Sequence, residues 1–148
     1  MSGGTLVIGI GNGLRGDDAL GRLAVRNLAL PEGAVIIEHD GEPASLMERW
    51  QGFDRVILVD AVSSGSAPGS LFRFDLLSRL PEFRARTSTH AFGIGDAVEL
   101  ARALGKLPRQ IVFYGVEAGH FSVGGDLSPQ IQSALEILRK RIMEDLHA

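Results

Sequence analysis

Short apolar runs rich in β-branched residues recur along this chain: Thr5–Ile10 (TLVIGI), Ala34–Ile37, Arg55–Val59 (RVILV) and Gln110–Gly115. Between them lie stretches with helical spacing, such as Leu20, Leu23, Ala24, Asn27 and Leu28 ahead of the stop at Pro31-Glu32-Gly33. Strands that are apolar through their length and alternate with helices have one economical solution. It is an α/β three-layer sandwich, in which a mostly parallel twisted sheet of about five strands is flanked by helices on both faces. With 148 residues and 45% hydrophobic content, residues 1–148 are expected to form a single domain around one sheet.

The remaining elements follow from punctuation. Ala44–Trp50 reads as a short helix with Leu46, Met47 and Trp50 apolar, and Arg55–Val59 as a strand ending at Asp60. Ser63 to Gly69 is a turn, Leu71–Phe74 an edge strand, Arg84–Thr89 a polar loop and Phe92–Leu104 a helix. The last helix is the sharpest: Ser128 is a natural N-cap, Pro129 suits the first helical position, and Ile131, Ala134, Leu135, Leu138, Ile142 and Leu146 make one apolar stripe.

Composition removes several function classes. The net charge is −3, from 15 basic and 18 acidic residues, and no basic stripe is offered to nucleic acid. There is no cysteine, hence no thiolate zinc site, iron-sulfur ligation or cysteine nucleophile, and any metal must sit on carboxylates and imidazoles. No signal-peptide pattern and no apolar run near the roughly 18 residues of a membrane span are present, so a cytoplasmic protein is expected.

In open α/β sheets, ligands bind beyond the carboxyl ends of the strands where the strand order reverses. There the sequence carries Gly11-Asn12-Gly13-Leu14-Arg15-Gly16-Asp17-Asp18, and later Asp60 and His90. Asp17 and Asp18 lie where a helix N-terminus favours negative charge, so helix capping competes with ligation for both. Asp60 alone is as readily a structural acceptor, and His90 a capping residue. A nucleotide or flavin module on the same scaffold is disfavoured, because the Gly-rich turn lacks the third glycine of G-x-G-x-x-G and the Lys-Ser/Thr of a P-loop. Two carboxylates and an imidazole, taken together, suit a first-row divalent ion such as nickel or zinc with positions left open.

The ordered set Gly9-Ile10-Gly11-Asn12, Asp17-Asp18-Ala19-Leu20-Gly21, Asp40-Gly41, Val59-Asp60-Ala61-Val62, Ser88-Thr89-His90 and Tyr114-Gly115-Val116-Glu117 resembles the hydrogenase maturation proteases over nearly the whole chain. The resemblance implies that Asp18, Asp60 and His90 bind metal and form the catalytic centre, with Asn12, Asp17, Asp40, Gly41 and Glu42 on the substrate side. One departure is Asp40-Gly41-Glu42-Pro43-Ala44-Ser45, where many members have D-G-G-T-x-G. Arg15-Gly16-Asp17-Asp18 and Gly41-Glu42-Pro43 resemble the branch that serves cytoplasmic hydrogenases.

The activity implied is endopeptidase removal of a C-terminal extension from a nickel-iron hydrogenase large-subunit precursor after nickel insertion, with the substrate's nickel as recognition element. The nickel comes with the substrate, although a surrogate divalent metal could take its place at the site. The alternative is a non-catalytic nickel-sensing chaperone or scaffold for hydrogenase assembly. A monomer without nucleic-acid or membrane partners is expected, and Asp17 or Asp40 is available to orient an attacking water.

Overall fold

The computed structural model describes residues 3–11, 20–62, 64–77, 90–118 and 128–147, with residues 90–93 described by their backbone alone. Five strands and four helices follow in the order β1 (Thr5–Ile10), α1 (Leu20–Val25), β2 (Ala34–His39), α2 (Pro43–Trp50), β3 (Arg55–Val62), β4 (Leu71–Asp75), α3 (His90–Leu104), β5 (Gln110–Glu117) and α4 (Pro129–Leu146). The sheet order is β2-β1-β3-β5-β4. The first four strands of that order are mutually parallel, and β4 closes one edge antiparallel to β5. The α/β sandwich and the edge position of β4 are therefore as expected.

Each face of the sheet carries its own core. Leu6, Ile8, Ile10, Leu58 and Val62 face Leu46, Met47 and Trp50 of α2 and Ile94, Ala97, Val98 and Ala101 of α3. Val7, Ile57, Val59, Val112 and Tyr114 face α1 and α4. All six residues of the α4 stripe are buried, and Ser128 caps that helix by accepting from the Ile131 N–H. Among the described residues, no helix is long and apolar enough to cross a membrane.

Several boundaries differ from the sequence reading: β2 runs on from Ile37 to His39, β4 from Phe74 to Asp75, and α2 starts at Pro43 instead of Ala44. Helix α1 stops at Val25 rather than running to Leu28, because Asn27 takes a left-handed φ of 63°, a conformation that ends helices. Strand β3 continues through Asp60 to Val62, since Ala61 and Val62 keep pairing with Val116 and Glu117. The same pairing carries β5 to Glu117. Helix α3 begins at His90, two residues before the expected Phe92. The expected Arg84–Thr89 loop lies outside the described residues.

One polar cluster closes the α4 side. Tyr114, 2% exposed, donates its hydroxyl hydrogen to Asp145 of α4, and Arg73 of β4 donates to the same hydroxyl oxygen at 3.2 Å. Burial first, then the bond to Asp145, pushes the phenol from its ordinary 10 up to about 12. A raised pKa contributes stability that is complete below pH 10 and is lost as pH rises toward 12. Tyr114 is the sole tyrosine, so phenolate absorbance reads it alone. The phenolate should appear only near pH 12 and together with loss of structure; ionisation near 10 with circular dichroism intact would contradict this placement.

Candidate functional site

The strand order reverses between β1 and β3: the chain leaves β1 toward β2 on one side, and β3 continues toward β5 on the other. This is the crevice position of an open α/β sheet. Asp60 stands there, at the carboxyl end of β3, in register with Gly115 of β5. Strand alternation puts its side chain on the α2–α3 face with Leu58 and Val62, the face on which α3 also packs. It is 1% exposed, and its Oδ1 accepts the Ala61 N–H at 2.8 Å. Among the described residues Asp60 and Glu117 are the buried polar or charged positions, and both belong to this end of the sheet.

Two glycines set how closely α1 approaches. A Cβ on Gly21 would lie 2.3 Å from the Ile10 carbonyl oxygen and 2.4 Å from that of Val59, so the first turn of α1 rests on the strand ends immediately before Asp60. Gly9 answers from below, where a Cβ would meet the Gly21 oxygen at 2.6 Å. Arg22, one residue on, donates through Nε to the Gly11 carbonyl at 2.6 Å and locks the exit of β1 to the same helix. The segment that carries Asn12, Asp17 and Asp18 is thus fixed at both anchors, Gly11 and Leu20. Asn12, Asp17 and Asp18 themselves lie outside the described residues.

His90 is the first residue of α3, at the helix start and not just ahead of it; its side chain lies outside the described residues. Of the three metal-ligand candidates, the structure therefore describes the side chain of Asp60 alone. Among the described residues, no group of three or more His, Asp or Glu side chains is arranged to hold a metal ion.

The second strand ends in a tight turn. Asp40 is largely exposed, and its Oδ1 accepts the Glu42 N–H at 3.0 Å. Gly41 is buried with φ 92°, a conformation that glycine adopts at little cost. Glu42 is the N-cap of α2: its carboxylate accepts the N–H groups of Ala44 and Ser45 at 3.1 and 2.6 Å, with Pro43 in the first turn behind it. Pro43 occupies the first turn of α2, a position that suits proline. The capping work of Glu42 was not foreseen, because glutamate is an uncommon cap.

Three further residues shape the site and escaped the sequence reading. Glu117, 2% exposed, accepts from the N–H and the hydroxyl of Ser64, while its backbone pairs with Gly69 and Ser70. It fastens the β3–β4 loop to the end of β5. Arg22 ties β1 to α1, and His39 organises the turn after β2. In the sequence Glu117 stood out only as the last residue of the Tyr114-Gly115-Val116-Glu117 motif, where a carboxylate ends an apolar run.

Comparison with known proteins agrees with this fold. A family model described as hydrogenase maturation protease matches residues 21–145. The hydrogenase expression/formation protein HoxM of Azotobacter vinelandii is 30% identical, over 92% of this chain and 72% of its own length. The hydrogenase 2 maturation protease of Escherichia coli is 27% identical, over 95% of this chain and 89% of its own. Among solved structures, the hydrogenase maturating endopeptidase HybD from E. coli superposes with a TM-score of 0.82 at 25% identity, covering 97% of this chain and 92% of that one. The [NiFe] hydrogenase maturation protease HybD from Thermococcus kodakarensis gives 0.74 at 26% identity, covering 98% and 99%. A shared family model, shared sequence and a shared fold together place this chain in the hydrogenase maturation protease family of peptidases.

Proposed function

We propose that this protein is an endopeptidase that removes the C-terminal extension of a nickel-iron hydrogenase large-subunit precursor once nickel has been inserted, and that the inserted nickel is what it recognises. The observation that supports this most is Asp60, a carboxylate 1% exposed at the switch point, with α3, the helix that begins at His90, packed on the same face through Ile94, Ala97, Val98 and Ala101. Burying a carboxylate costs several kcal/mol unless positive charge or donors meet it, roughly as much as a cation arriving at the site could return. Asp18, two residues upstream of Leu20 in the chain, supplies the second carboxylate of the set, and His90 the nitrogen. Two oxygens and one nitrogen leave coordination positions open, so nickel already held by the precursor can be gripped from its free side.

The chain has no cysteine and no G-x-S-x-G elbow. A water molecule therefore attacks the scissile carbonyl carbon and gives up a proton to a carboxylate, and the amine leaves with a proton as the carbon-nitrogen bond breaks. Asp17 and Asp40 are the carboxylates available to orient that water. Asn12, Asp17, Asp40, Gly41 and Glu42 line the substrate side in this reading. Glu42 then has two tasks, since its carboxylate also caps α2. The enzyme works as a cytoplasmic monomer.

Purified protein mixed with nickel-loaded and nickel-free precursor should shorten only the loaded form, read by intact mass. Equal cutting of both would sink nickel recognition. A stable complex with no shortened product would instead favour a scaffold that senses nickel.

A further inference from the structure

One side chain holds the carboxyl end of β2 to its surroundings. His39 closes that strand with its side chain only 9% exposed. Its Nδ1 accepts the Gly41 N–H at 2.8 Å, and a ring nitrogen that accepts carries no proton. The proton is therefore on Nε2, which donates to Ser45 Oγ at 3.0 Å. The His39 carbonyl also accepts the Gly11 N–H at 3.0 Å. A single residue thus joins the exit of β1, the Asp40–Gly41–Glu42 turn and the first turn of α2. The turn depends on it, because Gly41 is left-handed at φ 92° and its N–H would otherwise be a buried donor without this acceptor.

We propose that His39 is a positioning residue for substrate: its neutral ring holds the Asp40–Gly41–Glu42 turn in the shape that receives the precursor chain. This rests on the endopeptidase reading above, in which that turn lies on the substrate side.

Protonation turns Nδ1 from acceptor into donor and sets it against the Gly41 N–H, which releases the turn. The charged groups around the ring pull in opposite directions. Asp40 in the turn and Glu42 at the head of α2 favour the charged ring, while Arg49 of α2 and Arg22 of α1 oppose it. Burial outweighs all four and holds the ring below the ordinary 6.5. A depressed value means that the anchored turn is complete above pH 6.5 and is lost as pH falls through the lower folded value.

The test is steady-state cleavage of nickel-loaded precursor across this pH range by the parent, His39→Asn and His39→Ala, with precursor binding followed by titration calorimetry. The Asn Oδ1 takes the place of Nδ1 and accepts from Gly41 at any pH. The parent KM should rise as pH drops below 6.5. His39→Asn should restore a low KM that is flat over the same range, and His39→Ala should show a KM raised about tenfold at every pH, the loss expected for a turn short of two hydrogen bonds. A pH effect shared by all three proteins belongs to groups other than His39. An unchanged KM in His39→Ala, or the parent's acid rise persisting in His39→Asn, overturns the proposal. If the parent binds precursor without cutting it and binding follows this same pattern, the positioning role stands and the endopeptidase reading falls. If nothing binds, both fall.

Discussion

Asp60→Asn should lower cleavage of nickel-loaded precursor by at least about a hundredfold, because groups that merely hold a metal's ligands in place already cost about 10 to 100-fold when removed, and Asp60 is proposed to touch the metal itself. The melting temperature should stay close to that of the parent. The side chain is 1% exposed, and the bond it accepts from the Ala61 N–H at 2.8 Å can equally be made by an amide oxygen, so shape and that bond survive. The amide keeps the shape of the carboxylate and removes its charge. A structural aspartate would behave the other way round, giving several degrees of lost stability with cleavage merely following the folded fraction. His90→Ala and Asp18→Asn should repeat the catalytic loss, since removing the single nitrogen leaves two carboxylates, a poorer match for nickel than a mixed set. Cleavage time courses by intact mass and thermal unfolding by circular dichroism, run on the same preparations, decide between the two readings. Retention of parental cleavage in Asp60→Asn would remove this residue from the centre.

The element order was legible because each strand is a compact apolar run and α4 shows six stripe residues at helical spacing, all of which are buried. What failed was local. Leu23, Ala24 and Leu28 continue a helical rhythm past Val25, and nothing in spacing reveals that Asn27 turns left-handed. At Asp60 the charge was read as the end of a strand, yet Ala61 and Val62 go on pairing; a charge inside a buried strand marks a site better than it marks a boundary. The partners of the site were harder still. Arg22 and Glu117 act through backbone groups distant in sequence, His39 acts through the N–H of Gly41 in the turn that follows it, and hydrogen bonds to backbone leave no pattern of residue types. Asp60 was legible because a lone carboxylate closes an apolar run at the place where such folds bind ligands.

Gly21→Ala should be among the most damaging single-methyl additions in this chain, although in a bare helix it would be favourable. Alanine gains about 1 kcal/mol over glycine in a helix interior. Here the added Cβ would lie 2.3 Å from the Ile10 oxygen and 2.4 Å from the Val59 oxygen, and both obstacles are backbone of central strands that cannot swing aside. Relief requires α1 to lift from the sheet, opening the contacts of Leu20, Ala24 and Val25 with the core. Overpacking of this kind costs about 3 kcal/mol or more, so the net loss is at least about 2 kcal/mol, or roughly 4–8 °C in melting temperature for a chain of this size. Gly95→Ala supplies the control within the same protein. Gly95 lies inside α3, and a Cβ there meets nothing within 4 Å, so propensity acts alone and the variant should gain about 0.5–1 kcal/mol. Opposite signs for one chemical change would show that the approach of α1 to the β1 and β3 ends, not helix propensity, governs Gly21. Because that approach anchors the segment carrying Asp18, Gly21→Ala should also slow cleavage by more than its unfolded fraction explains when assayed well below its melting temperature. If both variants are stabilised alike, α1 does not sit on the strand ends, and the positioning argument for Asp18 loses its foundation.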